Sequence, residues 1–284
     1  MRLNPFNPDS INVRRGGGGG FPGGGGGQLG CGAIVIALIG ALVFGIDPGQ
    51  MLGTMESMQG APDQQQAGGE SAAELCATNR YSTEACNALA SLDQTWAPLF
   101  QQAGIEFRKP TLVFYQGGTR SGCGAASSSM GPFYCPGDQS IYIDTSFYDQ
   151  MNRELGAGPG DFARYYVIAH EYGHHVQALT GVAQQMSSAM QQNPAQANQL
   201  SVLMELQADC YAGVWAGKNR NLIEPGDFEE GMQAASAIGD DTLTKGRVSA
   251  ENFTHGTSAQ RMQALRLGME SGDDTQCDRI VQVR

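Results

Sequence analysis

Beyond residue 76 apolar positions recur mostly with a helical period, and give way to short β-branched and aromatic runs in two places. From Thr83 to Gln102 they fall at Ala85, Leu89, Leu92, Trp96, Leu99 and Phe100, along one face of a helix. Pro110–Tyr115 (PTLVFY) and Ser140–Asp144 (SIYID) predict two strands, and the Gly/Ser-rich stretch Gly117–Pro136 between them reads as loop. Gly156–Gly160 (GAGPG) breaks the chain. Asp161 follows as an N-cap, and a helix is predicted to about Thr180, where Gly181 ends it. In the polar stretch Gln184–Gln199, Pro194 marks the first turn of a second helix, which Gly217 stops after Ala216. A third helix is predicted from near Asp227. A fourth starts near Thr257–Ser258 and carries Arg261, Leu265 and Leu267. The pattern is α+β, predominantly helical, with one small sheet.

The first quarter of the chain is different. Gly16–Gly20 and Gly23–Gly27 are glycine runs with nothing to bury. Leu29–Ile46 is an eighteen-residue stretch without a charge, close to the length needed to cross a bilayer as a helix. Arg14 and Arg15 precede it, and Asp47, Glu56, Asp63 and Glu70 follow, so the positive-inside rule puts the N-terminus in the cytoplasm and the rest outside. A cleaved signal peptide is the alternative, but no small-x-small site is evident after Ile46. The predicted organisation is a Gly-rich cytoplasmic tail (1–28), one transmembrane helix (29–46), a flexible linker (47–75) and a globular domain (76–284). The formal net charge of −11 argues against nucleic-acid binding, which needs a basic face.

Apart from Cys31 in the apolar stretch, six cysteines lie beyond the predicted span: Cys76, Cys86, Cys123, Cys135, Cys210 and Cys277. An even number fits disulfides in an oxidising compartment, with free buried thiols as the alternative. Proximity in sequence suggests Cys76–Cys86 and Cys123–Cys135, leaving Cys210–Cys277 to tie down the C-terminal tail.

The chemistry concentrates in His170-Glu171-Tyr172-Gly173-His174. On a helix His170 and His174 project from one face, one turn apart, and can grip one Zn²⁺ at about 2.0–2.1 Å. Glu171 is turned by about 100° from the first histidine, where its carboxylate reaches a water on the metal instead of the metal. Three of the four histidines lie within His170–His175, and His175 points elsewhere than the two ligands. A third ligand is expected from the second helix, where Glu205 and Asp209 share a face. Glu205 is assigned to the metal and Asp209 to the N–H of a ligand histidine. A solvated acidic face is the bland alternative. Leu203, Met204, Leu206, Ala208, Tyr211 and Val214 around the pair argue for burial, and buried carboxylates need partners. His255, just before the fourth helix, is a candidate donor to a tetrahedral oxyanion, or else part of the structure that caps that helix. Arg261 is a candidate partner for Asp209 or Glu205.

These blocks resemble a known family. Val167–Gln177 (VIAHEYGHHVQ), Glu205–Ala216 (ELQADCYAGVWA), Phe253–Arg261 (FTHGTSAQR), Gly131–Gln139 (GPFYCPGDQ) and Glu270–Asp273 (ESGD) are similar to the bacterial neutral zinc metallopeptidases, as is the N-terminal Arg-Arg, polyglycine and single apolar segment. The resemblance implies a zincin-like peptidase domain anchored in the bacterial cytoplasmic membrane, facing the periplasm or exterior and acting on protein or peptide substrates. In such enzymes an edge strand holds the extended substrate, and Ser140–Asp144 and Pro110–Tyr115 are both candidates. The competing reading is a zinc-binding scaffold at the membrane without turnover.

Overall fold

The computed structural model describes residues 1–17, 70–155 and 160–282. The expected transmembrane helix 29–46, the rest of the Gly-rich tail and most of the linker lie outside these residues, as does most of the GAGPG breaker. Among the described residues no helix is long and apolar enough to cross a membrane.

The helical prediction holds, and the fold is α+β. Helix α1 (Ala72–Cys76) is followed by α2 (Arg80–Ala103), which starts three residues before the apolar pattern because the Asn79 side chain caps the Ser82 amide. Gly104, at φ 69°, closes it. Strands β2 (Thr111–Phe114) and β6 (Ser140–Ile143) fall within the two β-rich runs and pair in parallel. The Gly/Ser-rich stretch between them is not a plain loop. It forms the hairpin of β3 (Gly118–Ser121) and β4 (Gly124–Ser127) and then β5 (Phe133–Cys135), antiparallel to β6. Small residues hide β3 and β4 from a propensity reading, and backbone pairing makes them; the aromatic run of β5 is only three residues long.

An unexpected strand, β1 (Asn12–Arg15), lies at the far edge, parallel to β2 with Asn12 opposite Thr111 and Arg15 opposite Phe114. The order is therefore β1-β2-β6-β5. Residues 1–17 belong to the folded unit, with Met1 and Ile11 buried and Leu3, Phe6 and Val13 packed on the core. The two stretches expected to offer a substrate edge are both interior strands, flanked on either side. The edge beside the helices is β5.

After α3 (Ser146–Gln150) come α4 (Asp161–Leu179), α5 (Val182–Gln192), α6 (Ala197–Lys218), α7 (Asp227–Ala237), α8 (Asp240–Leu243), α9 (Ser258–Ser271) and α10 (Asp274–Asp278). Asp161 is the first helical residue and Gly160 the cap, one position from expectation. Helix α5 was not anticipated in its polar stretch. It buries only Met186, too little apolar surface to leave a periodic signal. Pro194 opens a separate tight turn before α6. Gly217 does not stop α6, which runs on to Lys218; a Cβ there would stand 2.7 Å from the Met269 carbonyl, so glycine is required by close packing on α9. Gly268 plays the reverse part, with a Cβ position 2.0 Å from the Cys210 carbonyl. All three proposed disulfides are present: Cys76–Cys86, Cys123–Cys135 and Cys210–Cys277. The last closes a separation of 67 residues and ties α10 to α6. A loop of that size is worth about 4 kcal/mol on the chain-entropy account.

Candidate metal centre

Helix α4 is buried along most of its length, with Tyr165, Tyr166, Val167, Ile168, Ala169 and Tyr172 in the core. It crosses α6 at Gly173, where a Cβ would sit 2.8 Å from both the Cα and the carbonyl oxygen of Ala208. This close approach brings the histidines of one helix to the carboxylates of the other. His170 Nε2 lies 3.1 Å from Glu205 Oε2, and His174 Nε2 lies 3.5 Å from Glu205 Oε1. One donor atom from each of the three residues falls within 4.8 Å of the others, a spacing that can hold a metal ion.

The outer nitrogens fix how the rings present themselves. His170 Nδ1 is 2.8 Å from Asp209 Oδ1. A carboxylate only accepts, so Nδ1 carries the proton and donates it. His174 Nδ1 is 2.9 Å from Gln177 Oε1, while Gln177 Nε2 donates to the Met204 carbonyl and to Gln207 Oε1. The amide oxygen is thereby left to accept from His174 Nδ1–H. Both neutral imidazoles then aim Nε2 lone pairs at the Glu205 carboxylate. Three electron-pair donors converging without a proton or cation between them would repel, so the donor set fits a divalent metal. In the metal-free protein a proton serves instead. Burial works against charge on His170, but Asp209 and Glu205 outweigh it and raise its pKa to about 10. Burial likewise opposes ionisation of Glu205, yet His174, His170 and His255 hold its carboxyl well below the usual range.

Asp209 is fully buried. It accepts from Tyr166 Oη at 2.5 Å, from His170, and from Arg261 through Nε at 2.7 Å and a terminal nitrogen at 2.9 Å. Arg261 thus meets Asp209 in a two-bond fork, and stands 3.9 Å from Glu205. Glu171 is buried beside the histidines, and burial pushes its pKa up against their pull.

His255 is buried at the same site. Its Nδ1 is 3.0 Å from Asp240 Oδ1, and its Nε2 is buried with no hydrogen-bond partner among the described residues. Asp240 Oδ2 also accepts the backbone amides of Thr254, His255 and Gly256, at 2.7–3.1 Å. The Thr257 hydroxyl, at the expected start of the helix, caps α9. Sequence reasoning missed Asp240, which lies fifteen residues from its histidine and carries no spacing signal. It missed Gln177 as well, although the three-residue step from His174 is a helical neighbour spacing. His175 turns away to the sheet: Nε2 donates to the Arg108 carbonyl at 2.6 Å, and Nδ1 accepts from Tyr134 Oη of β5 at 3.0 Å.

A two-histidine, one-carboxylate cluster on crossed helices, with a buried glutamate next to the first histidine, is the donor arrangement of zinc-dependent hydrolases. The chain belongs to the family described as "Putative neutral zinc metallopeptidase", which it matches over residues 4–280. It is similar to the uncharacterized protein YpfJ of Escherichia coli K12, 53% identical over 197 residues that cover 67% of this chain and 68% of the relative. It is also 37% identical over 265 residues to the uncharacterized protein Rv2575 of Mycobacterium tuberculosis H37Rv, covering 84% of each. No solved structure matches it.

Proposed function

We propose that the protein is a zinc-dependent peptidase in which Glu171 assists attack of water on a peptide carbonyl. The observation that carries this reading is the convergence of His170 Nε2, His174 Nε2 and the Glu205 carboxylate, with both outer ring nitrogens already engaged. A zinc ion held there supplies Lewis acidity to water and to the carbonyl. Glu171 takes the proton from the attacking water and returns it to the leaving amine. Its raised pKa makes it a better base for the first transfer. The unpartnered His255 Nε2 donates to the oxygen that gains charge when the ring is an imidazolium, whose Nδ1–H Asp240 accepts and whose charge it balances. Substrate lies extended along β5, whose Tyr134 is tied to the residue after His174.

The domain works outside the cytoplasmic membrane, which three disulfides support, and residues 29–46 attach it to the bilayer. The test is metal content and cleavage by the full-length chain in detergent. One zinc per chain is expected, with peptide cleavage falling about 10²–10⁴-fold in Glu171→Gln while zinc is retained. Zinc without cleavage of any peptide in a mixed-sequence library rejects the peptidase reading. A zinc-free protein indifferent to added metal rejects the site.

A further inference from the structure

We infer that residues 1–17 form part of the peptidase fold itself, and therefore lie on the same side of any membrane as residues 70–282. Four consecutive residues of β1 stand in parallel register with Thr111–Phe114, and the Gly16 amide continues the ladder to the Phe114 carbonyl at 2.8 Å. Upstream, Lys109 Nζ donates to the Ser10 carbonyl at 2.6 Å, the Phe6 amide donates to Asn87, and the Arg2 amide donates to the Leu222 carbonyl. These partners belong to the sheet, to α2 and to the turn after α6, so the segment crosses three parts of the domain. Ile11 is buried between them.

The two arginines that set the expected orientation are engaged in the domain as well. Arg14 lies over the Tyr142 ring, 5.7 Å from its centroid, and donates to its hydroxyl at 2.9 Å. Arg15 pairs with Glu70. That pair also brings together the two ends of residues 18–69: the chain leaves the domain beside β1 and returns beside it. A chain that leaves and returns on one side crosses a bilayer an even number of times. Each crossing takes about 20 apolar residues, and 18–69 contains a single apolar run of eighteen, Leu29–Ile46. One run cannot cross twice, so the docked N-terminal strand is incompatible with a single crossing between residues 17 and 70. The expectation of a cytoplasmic N-terminus and an external domain gives way to a common side for both. It also follows that a fragment beginning near residue 74 lacks a strand of the sheet.

The inference rests on β1, not on the chemistry of the site, and its test separates the two. In full-length protein with Cys31→Ser, single cysteines are placed at exposed Asp9 and exposed Gln101 (Asp9→Cys, Gln101→Cys) and treated with a membrane-impermeant maleimide in intact spheroplasts. Equal labelling of both is expected. Protection of both until lysis supports the common side too, while moving the domain to the cytoplasm and overturning the external placement alone. Labelling of Gln101→Cys with protection of Asp9→Cys until lysis overturns the inference. Hydrogen exchange on the unmutated chain checks the docking. Amides from Asn12 to Gly16 are expected to exchange at least 10²-fold more slowly than free peptide, and exchange at the free-peptide rate refutes it.

Discussion

Gly173 sits inside the metal motif, and its replacement by alanine tests whether the distance between α4 and α6 sets the site. The added Cβ would stand 2.8 Å from Ala208 Cα and carbonyl oxygen and 3.1 Å from its carbonyl carbon. Carbon contacts are favourable at about 3.5–4.0 Å, and the obstacle is backbone, which has no rotamer to change. The helices must therefore part or tilt by about 0.7 Å or more. Overpacking of this kind costs about 1–3 kcal/mol. Removing a glycine from a helix interior returns about 0.5–1 kcal/mol, so the net is a loss of up to about 2.5 kcal/mol. The larger effect falls on the site, because Glu205 is one turn from Ala208 and both histidines are within one turn of Gly173. Ligand distances tolerate only about ±0.2 Å. Urea denaturation of zinc-free and zinc-loaded protein, with chelator competition for affinity, is the assay. We expect Gly173→Ala to lower the urea midpoint and weaken zinc binding by tenfold or more. Unchanged zinc affinity in a variant as stable as the parent would refute this account of the crossing.

Three other perturbations separate the roles at and near the site. Glu205→Ala is expected to abolish stoichiometric zinc, and Asp209→Asn to weaken it by about 10–100-fold while binding persists; the opposite order in equilibrium dialysis overturns the assignment of the two carboxylates. Asp240→Asn is expected to lower kcat and leave KM and zinc content nearly unchanged, with no further loss in the double variant with His255→Phe, since both act through one group. Additive losses in steady-state kinetics would place Asp240 in some other role. Asp93 tests burial without metal chemistry: burial raises its pKa from 3.8 to about 6, against the Tyr172 hydroxyl and Lys109. The folded state therefore holds this proton more tightly than the unfolded chain, a contribution present below pH 3.8 and lost as pH rises through about 6. The shift corresponds to at most about 3 kcal/mol. Asp93→Asn should flatten the pH dependence of stability between pH 4 and 7 and stabilise the protein at pH 7. Denaturant melts with the same pH profile as the parent would reject that reading.

Much of this protein was legible locally. The four-residue steps from His170 to His174 and from Glu205 to Asp209 are helical spacings, and periodicity alone puts each pair on one face. Helices α2, α4, α6, α7 and α9 and strands β2 and β6 followed from apolar period and residue type, and the cysteine pairs from number and proximity. What the sequence could not supply depends on contacts between distant segments. Asn12–Arg15 has one apolar residue in four, so nothing in it signals a strand; β1 exists because β2, about a hundred residues later, offers an unpaired edge. Thr111–Phe114 becomes an interior strand only because β1 pairs along its outer side. Gly173 and Gly217 look like helix weaknesses until Ala208 and Met269 stand against them. Asp240 reaches His255 across a turn, through a backbone path that no spacing encodes. Periodicity is a property of a few neighbouring residues, and it gave the ligands their faces. Which faces meet, and that the N-terminal strand takes the free edge of the sheet, is decided by closure of the whole chain around one core.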